Sequence, residues 1–127
     1  MAEALRRLVR ERAEGRCEYC LLPQAVSVLS FHVEHIIPKQ HGGETVAENL
    51  GLSCPHCNLH KGPNLTGIDP DSGGVCRLFH PRLDLWDTHF RRDGARITGL
   101  TDVGRTTAWV MDFNAEEQLR LRKTAAE

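Results

Sequence analysis

Two cysteine pairs, Cys17-Glu-Tyr-Cys20 and Cys54-Pro-His-Cys57, enclose a polar stretch that contains His32-Val-Glu-His35, Gly42-Gly43 and Asn49-Leu50. Two cysteines separated by two residues place their thiolates on one side of a metal ion without strain, and structural zinc takes four tetrahedral ligands. The two pairs therefore predict one zinc site that staples the fold. The stretch between them is longer than in a simple zinc finger, so we expect it to carry a functional loop.

The composition of the chain favours metal binding by these cysteines. The 127 residues are 40% hydrophobic and 26% charged, which is typical of a soluble globular protein, and we predict one domain over residues 1–127. No apolar run approaches the roughly 20 residues of a membrane span, and the amino terminus has no apolar signal core. We therefore expect a cytoplasmic protein with no membrane partner, in which thiols stay reduced.

Other uses of the cysteines are weaker alternatives. Two disulfides or a redox pair would need an oxidising compartment or a thioredoxin-like pattern, and an iron–sulfur cluster could use the same four thiolates. The fifth cysteine, Cys76, is predicted to be a small buried side chain.

The formal net charge of −1 is the main observation against a nucleic-acid partner. Strong nonspecific DNA binders are usually basic, because neutralising phosphates releases counterions. Arginines are concentrated in three segments, residues 6–16, 91–96 and 120–122. Each segment is consistent with a basic face or with an ordinary solvated surface.

Residue periodicity predicts helix, strand, loop, strand and short helix in order along the first half of the chain. We expect a helix over residues 3–14, strands over 26–37 and 50–54, and a helix that starts near residue 58 and stops at Gly62-Pro63. In the first strand, His32 and Glu34 share a polar face. His35 falls on the apolar face by strict alternation, and such an inconsistency often marks a functional site or a bulge.

Residues 63–127 are predicted to form a C-terminal extension without a second domain boundary. A turn-rich stretch leads into a packed linker with Phe79, Trp86 and Phe90 as core residues. A hairpin over residues 90–99 should turn at Asp93-Gly94. The last predicted elements are a helix capped by Thr101 and running to about residue 112, with a strand over residues 106–113 as its alternative, and a terminal helix capped by Asn114.

The enclosed polar stretch has the groups that phosphodiester cleavage needs, namely a base for the attacking water and a cation for the phosphate. His35 can accept the proton of the water, because imidazole titrates near neutral pH. Glu34 offers a hard oxygen ligand, and Asn58 follows the second cysteine pair directly and offers an amide oxygen. Two oxygen ligands suit Mg²⁺ or Mn²⁺.

On these residues the chain resembles the HNH nuclease family, also called His-Me finger or ββα-metal nucleases. The resemblance covers residues 17–62. It is carried by both cysteine pairs together with His32-Val-Glu-His35-Ile-Ile-Pro38, Gly42-Gly43, Asn49-Leu50 and Asn58-Leu-His-Lys61-Gly62.

The resemblance implies an α+β fold with a ββα-metal core, stapled by the four-cysteine zinc site and flanked by helices and the C-terminal extension. It implies a metal-dependent DNA endonuclease with His35 as general base. Glu34 would fill an acidic metal position that is Asp in many relatives, and Asn58 would be the second ligand of the catalytic Mg²⁺ or Mn²⁺. Asn49 would hydrogen-bond the loop that orients the base.

Three further residues are expected to contact nucleic acid. Lys61 matches a common basic residue of the closing helix in the family, and His32 and His60 are expected at the surface or on phosphates. The alternative for His32, which shares a strand face with Glu34, is a third metal ligand. The alternative is a noncatalytic zinc module that binds nucleic acid or protein through the same fold, which the acidic balance of the chain favours.

Overall fold

Five α-helices and three separate two-stranded antiparallel sheets make up the structure, a computed structural model that describes residues 1–127. The helices are Glu3–Arg12 (α1), Pro55–Lys61 (α2), Trp86–His89 (α3), Asp102–Val110 (α4) and Glu116–Ala126 (α5). The strands are His32–His35 (β1), Leu50–Ser53 (β2), Thr66–Ile68 (β3), Val75–Arg77 (β4), Phe90–Asp93 (β5) and Arg96–Gly99 (β6). The predicted α+β class is confirmed.

The predicted order of strand, loop, strand and helix is present as β1, a loop, β2 and α2. Strand β1 pairs antiparallel with β2, with His32 opposite Ser53 and His35 opposite Leu50. Helix α2 begins three residues earlier than we expected. Cys54 acts as its N-cap, with its sulfur accepting a hydrogen bond from the backbone N–H of Cys57, and proline is favourable at the first helical position.

The expectation of a long strand over residues 26–37 is wrong, because only His32–His35 pairs with another strand. Gln24–Val26 forms a 3₁₀ turn. The Gln24 amide accepts from the N–H of Phe31 at 2.8 Å and donates to the carbonyl of Leu29 at 2.9 Å. These local bonds replace strand pairing, and Leu29 is left 61% exposed.

One buried cluster joins the first half of the chain to the extension. Its 16 residues run from Val9 in α1 through the four cysteines to Phe113. Phe79 and Phe90 lie in it as expected, while Trp86 is half-buried and donates from its indole N–H to the carbonyl of Tyr19 at 2.8 Å. Cys76 is only half-buried, at the edge of this core.

The extension follows the expected elements with two corrections. The hairpin β5–β6 is present, but its turn is Gly94-Ala95, because Asp93 pairs with Arg96. Helix α4 is present with Thr101 as its cap, so the alternative strand is wrong. Asn114 does not cap α5. Its side chain instead bonds both the N–H and the carbonyl of Ile97, each at 2.8 Å, and the helix starts after Ala115.

The sheet formed by β3 and β4 was not expected from the sequence. Thr66 lies opposite Arg77 and Ile68 opposite Val75, and both strands contact α4. None of the helices combines the length and the apolar character that crossing a membrane requires.

Candidate functional site

The four paired cysteines form one buried cluster. Their Sγ atoms all lie within 4.8 Å of one another, and Cys20 Sγ is 3.7 Å from Cys54 Sγ. In a tetrahedral site with Zn–S bonds of about 2.3 Å, neighbouring sulfurs are separated by about 3.8 Å. All five cysteines of the chain are free thiols. The donor set and its spacing therefore fit a structural zinc ion.

Hydrogen bonds surround the sulfurs of this cluster. The N–H of Cys20 donates to Cys17 Sγ at 3.5 Å, and the N–H of Cys57 donates to Cys54 Sγ at 3.4 Å. The side chain of Gln118, on α5, donates to Cys20 Sγ at 3.7 Å and to Cys54 Sγ at 3.8 Å. Such outer contacts orient metal ligands. Sequence analysis missed Gln118, because no local pattern marks it.

The loop between β1 and β2 is held together by the side chain of Asn49. Its Oδ1 accepts from the N–H of Ile37 at 2.9 Å, and its Nδ2 donates to the carbonyls of Ile37 at 3.0 Å and of Glu44 at 2.9 Å. The residue is only 8% exposed. Gly43 lies in the same loop, so close to the Ile37 carbonyl that there is no room for a side chain on it. The Gly-Gly and Asn motifs thus form one structural unit.

His35 lies at the end of β1, next to this loop. Its Nε2 is 2.8 Å from the hydroxyl of Thr45, which belongs to the loop. Partial burial, and then the positive charge of Lys39, lower the pKa of His35. A lowered pKa favours the neutral ring, which is the form that accepts a proton.

Glu34 points away from solvent, next to Tyr19 and Lys61. Burial raises the pKa of Glu34 to about 7, against the opposing effects of the Lys61 charge and of the Tyr19 hydroxyl. No group lies in proper hydrogen-bond geometry to Glu34 Oε1 or to the Tyr19 hydroxyl. A buried acceptor without a donor is costly, so this oxygen has the character expected of a cation ligand.

Asn58 and Lys61 lie one turn apart on α2, which packs against β1 and β2. Asn58 is half-buried, and its side-chain amide makes no hydrogen bond within the protein. Lys61 is only 2% exposed, and its ammonium donates to the carbonyl of Ile36 at 2.8 Å. The expected contact between Lys61 and nucleic acid is not supported by this buried position.

The other histidines lie in several different surroundings. His32 and His60 are exposed, as expected, and His60 packs on His56 with ring centroids 4.2 Å apart. His80 and His89 are held by local contacts, since His80 Nδ1 accepts from the N–H of Arg82 at 3.2 Å and His89 Nδ1 is 2.6 Å from the Thr101 hydroxyl.

Comparison with known proteins gave one match. A family model described as HNH endonuclease matches residues 17–64, a range that starts at the first cysteine and ends just beyond α2. Separate comparisons of the chain with curated proteins and with solved structures found no match. The matched range contains both cysteine pairs and the β1–loop–β2–α2 unit. Residues 17–64 of this chain are therefore similar to an HNH endonuclease domain, and they contain a buried four-cysteine cluster that fits zinc.

Proposed function

We propose that the protein is a metal-dependent endonuclease that hydrolyses phosphodiester bonds of DNA. The observation that carries this proposal is the loop held by the hydrogen bonds of Asn49, in which the Thr45 hydroxyl lies 2.8 Å from His35 Nε2. This loop lies in the segment that matches the HNH endonuclease model. A binding module does not need an imidazole held in this way, nor the buried and unpaired carboxylate oxygen of Glu34, the residue before His35 in the chain. The proposed domain covers residues 1–127, because the buried core is shared between the matched segment and the extension.

In the proposed mechanism, His35 takes a proton from a water molecule. The water oxygen attacks phosphorus in line, and the bond to the 3′ oxygen breaks with its electron pair staying on that oxygen, which takes a proton from solvent. The 5′-phosphate stays on the other fragment. A Mg²⁺ or Mn²⁺ ion held by Glu34 and Asn58 would supply positive charge for the phosphate and for the departing oxygen. The free amide of Asn58 and the unpaired Oε1 of Glu34 are the donors that fit this ion.

A plasmid assay tests the role of His35. Tag-free, zinc-loaded protein is incubated with supercoiled DNA and Mg²⁺ or Mn²⁺, and nicked and linear products are measured. Loss of a general base typically lowers the rate about 10²- to 10⁴-fold, so His35→Ala should be nearly inactive. His41→Ala is the matched control, since His41 is an exposed histidine of the same loop. If His35→Ala cuts as fast as His41→Ala, the assignment is wrong.

The noncatalytic zinc module is the second candidate, and one structural observation favours it in addition to the acidic balance of the chain. The buried ammonium of Lys61 lies near Glu34, where its charge favours the ionised carboxylate and competes with a divalent ion. A Mn²⁺ titration in the presence of DNA separates the two functions. The nuclease should bind one Mn²⁺ in addition to its zinc and lose it in Asn58→Ala. A module with one zinc, no Mn²⁺ and no cleavage would replace the nuclease proposal.

A further inference from the structure

A second group of metal-binding side chains lies on the surface, outside the cysteine cluster and the proposed catalytic residues. It consists of His56, His60 and Asp112, whose ligand atoms all lie within 4.8 Å of one another. We propose that these three residues bind one further transition-metal ion of the zinc type. The proposal goes beyond nuclease activity and does not depend on it.

The two histidines have the spacing of a helical metal chelate. His56 and His60 are four residues apart on α2, and residues at this spacing lie on the same helix face. Their ring centroids are 4.2 Å apart, with the ring planes tilted by 38°. Two imidazoles at this spacing bind one ion in many zinc sites. Neither histidine belongs to the cysteine cluster or to the proposed catalytic set.

The third donor comes from a distant part of the chain. Asp112 follows α4 and has a left-handed backbone with φ of +47°, a conformation that glycine or asparagine adopts more readily. Its carbonyl accepts a hydrogen bond from His56 Nε2 at 2.9 Å. Because a carbonyl only accepts, Nε2 carries the proton in this contact, and Nδ1 is the nitrogen left to bind a metal ion. A carbonyl contact of this kind holds many metal-binding histidines in place.

The donor chemistry indicates the class of ion. Two imidazoles and one carboxylate suit Zn²⁺ or Ni²⁺ better than Mg²⁺ or Ca²⁺, which prefer oxygen ligands only. Ligand atoms on one zinc ion are separated by about 3 to 3.5 Å, so the three donors need only a modest approach. His60 and Asp112 are exposed and His56 is half-buried, so their side chains are free to make it.

A metal ion at this place would join two parts of the protein. Helix α2 lies in the segment that matches the HNH endonuclease model, whereas Asp112 lies in the turn that connects α4 with α5. The ion would therefore fasten the C-terminal extension onto the helix that carries the proposed ligand Asn58. An ion that binds only the folded protein stabilises it in proportion to its concentration.

The test uses the tag-free chain of 127 residues, loaded beforehand with one zinc per chain. Calorimetric titration with Zn²⁺ should show a second equivalent in the wild type. His60→Ala and Asp112→Asn should each weaken this second binding at least about 10-fold, because each removes one of three protein ligands. Asp112→Asn keeps a residue that tolerates the left-handed backbone, and circular dichroism checks the fold of both variants. Added Zn²⁺ should raise the unfolding temperature of the wild type by several degrees and leave that of His60→Ala unchanged.

Asn58→Ala is the control for binding at the proposed catalytic site, and it should retain the second equivalent. The proposal is overturned if the wild type binds only one zinc, or if His60→Ala binds the second as tightly as the wild type does. It is also overturned if the second equivalent disappears in Asn58→Ala and persists in His60→Ala, since the ion then belongs to the catalytic site. Plasmid cleavage is not a readout here, so failure of this site leaves the nuclease proposal untouched.

Discussion

Replacement of Gly43 by alanine should disrupt the loop that lies next to His35. A Cβ atom on Gly43 would lie 1.7 Å from the carbonyl oxygen of Ile37 and 2.9 Å from Asn49 Nδ2. Carbon and oxygen atoms that are not bonded stay about 3.3 Å apart, so the backbone must open by roughly 1.5 Å. A flexible side chain could move aside, but here the obstacle is the backbone itself.

The cost can be worked out from the hydrogen bonds that this opening breaks. Asn49 Nδ2 donates to the carbonyls of Ile37 at 3.0 Å and of Glu44 at 2.9 Å, and the N–H of Gly43 donates to the carbonyl of Pro38 at 3.1 Å. At about 1 kcal/mol for each net bond, Gly43→Ala should lower the free energy of unfolding by about 3 kcal/mol. This agrees with the roughly 1 to 3 kcal/mol that overpacking typically costs.

Gly42 provides the matched control. It has φ of +88°, and no atom lies within 4 Å of the position that a Cβ atom would take, so an alanine there is strained but not blocked. Gly42→Ala should cost only about 1 kcal/mol. Urea unfolding of the zinc-loaded proteins measures both values. The rate of plasmid nicking should fall further in Gly43→Ala than in Gly42→Ala. The reasoning is refuted if Gly43→Ala is no more destabilising than Gly42→Ala.

Three further predictions concern the metal cluster and the extension. Gln118→Glu should weaken zinc binding about 10-fold or more relative to wild type, because it places a carboxylate next to Cys20 and Cys54. Gln118→Leu should weaken zinc binding less than Gln118→Glu does, and competition with a chromogenic chelator measures both affinities. Removal of zinc by a strong chelator should unfold the protein reversibly, as followed by circular dichroism, since structural zinc supplies on the order of 10 kcal/mol of folding free energy. Hydrogen bonds from Arg77, at 2.7 and 3.0 Å, hold the pKa of Asp84 below its ordinary value, so its stabilising effect is present above about pH 4 and is lost as pH falls through the folded pKa. Asp84→Asn should therefore be less stable at neutral pH and lose less stability on acidification, which urea unfolding at a series of pH values measures.

The matched segment was predictable because its chemistry requires local spacing. Each cysteine pair forms a knuckle on its own, and the expected loop contact of Asn49 is present as three hydrogen bonds. The wrong predictions concern segments whose conformation depends on residues distant in the sequence. The β-branched residues near Val26 favour a strand, but β2 offers only four residues to pair with. Asn114 has the type of a helix cap, yet it bonds the more distant Ile97 instead.

The missed elements depend on packing that is remote in sequence. Strand β3 contains Gly67, where a Cβ atom would lie 2.4 Å from a methyl group of Val110, so α4 determines which residue this strand tolerates. The same limit applies at the site. The family resemblance implied a contact of Lys61 with nucleic acid, but its ammonium is buried against the Ile36 carbonyl. Gln118 reaches the cysteines only because α5 folds back on them.

The proposed catalytic residues have two separate structural supports. Asn58 lies on α2, whose N-terminal end is held at the cysteine cluster. The N–H of Asn58 donates to the carbonyl of Cys54 at 2.9 Å. His35 is positioned by the Asn49 loop, which includes none of the cysteines. Metal loss should therefore displace the proposed cation ligand on α2, whereas a defect in the loop should displace the proposed base and spare the zinc. A loop variant such as Gly43→Ala should therefore keep its bound zinc and lose the ability to nick DNA.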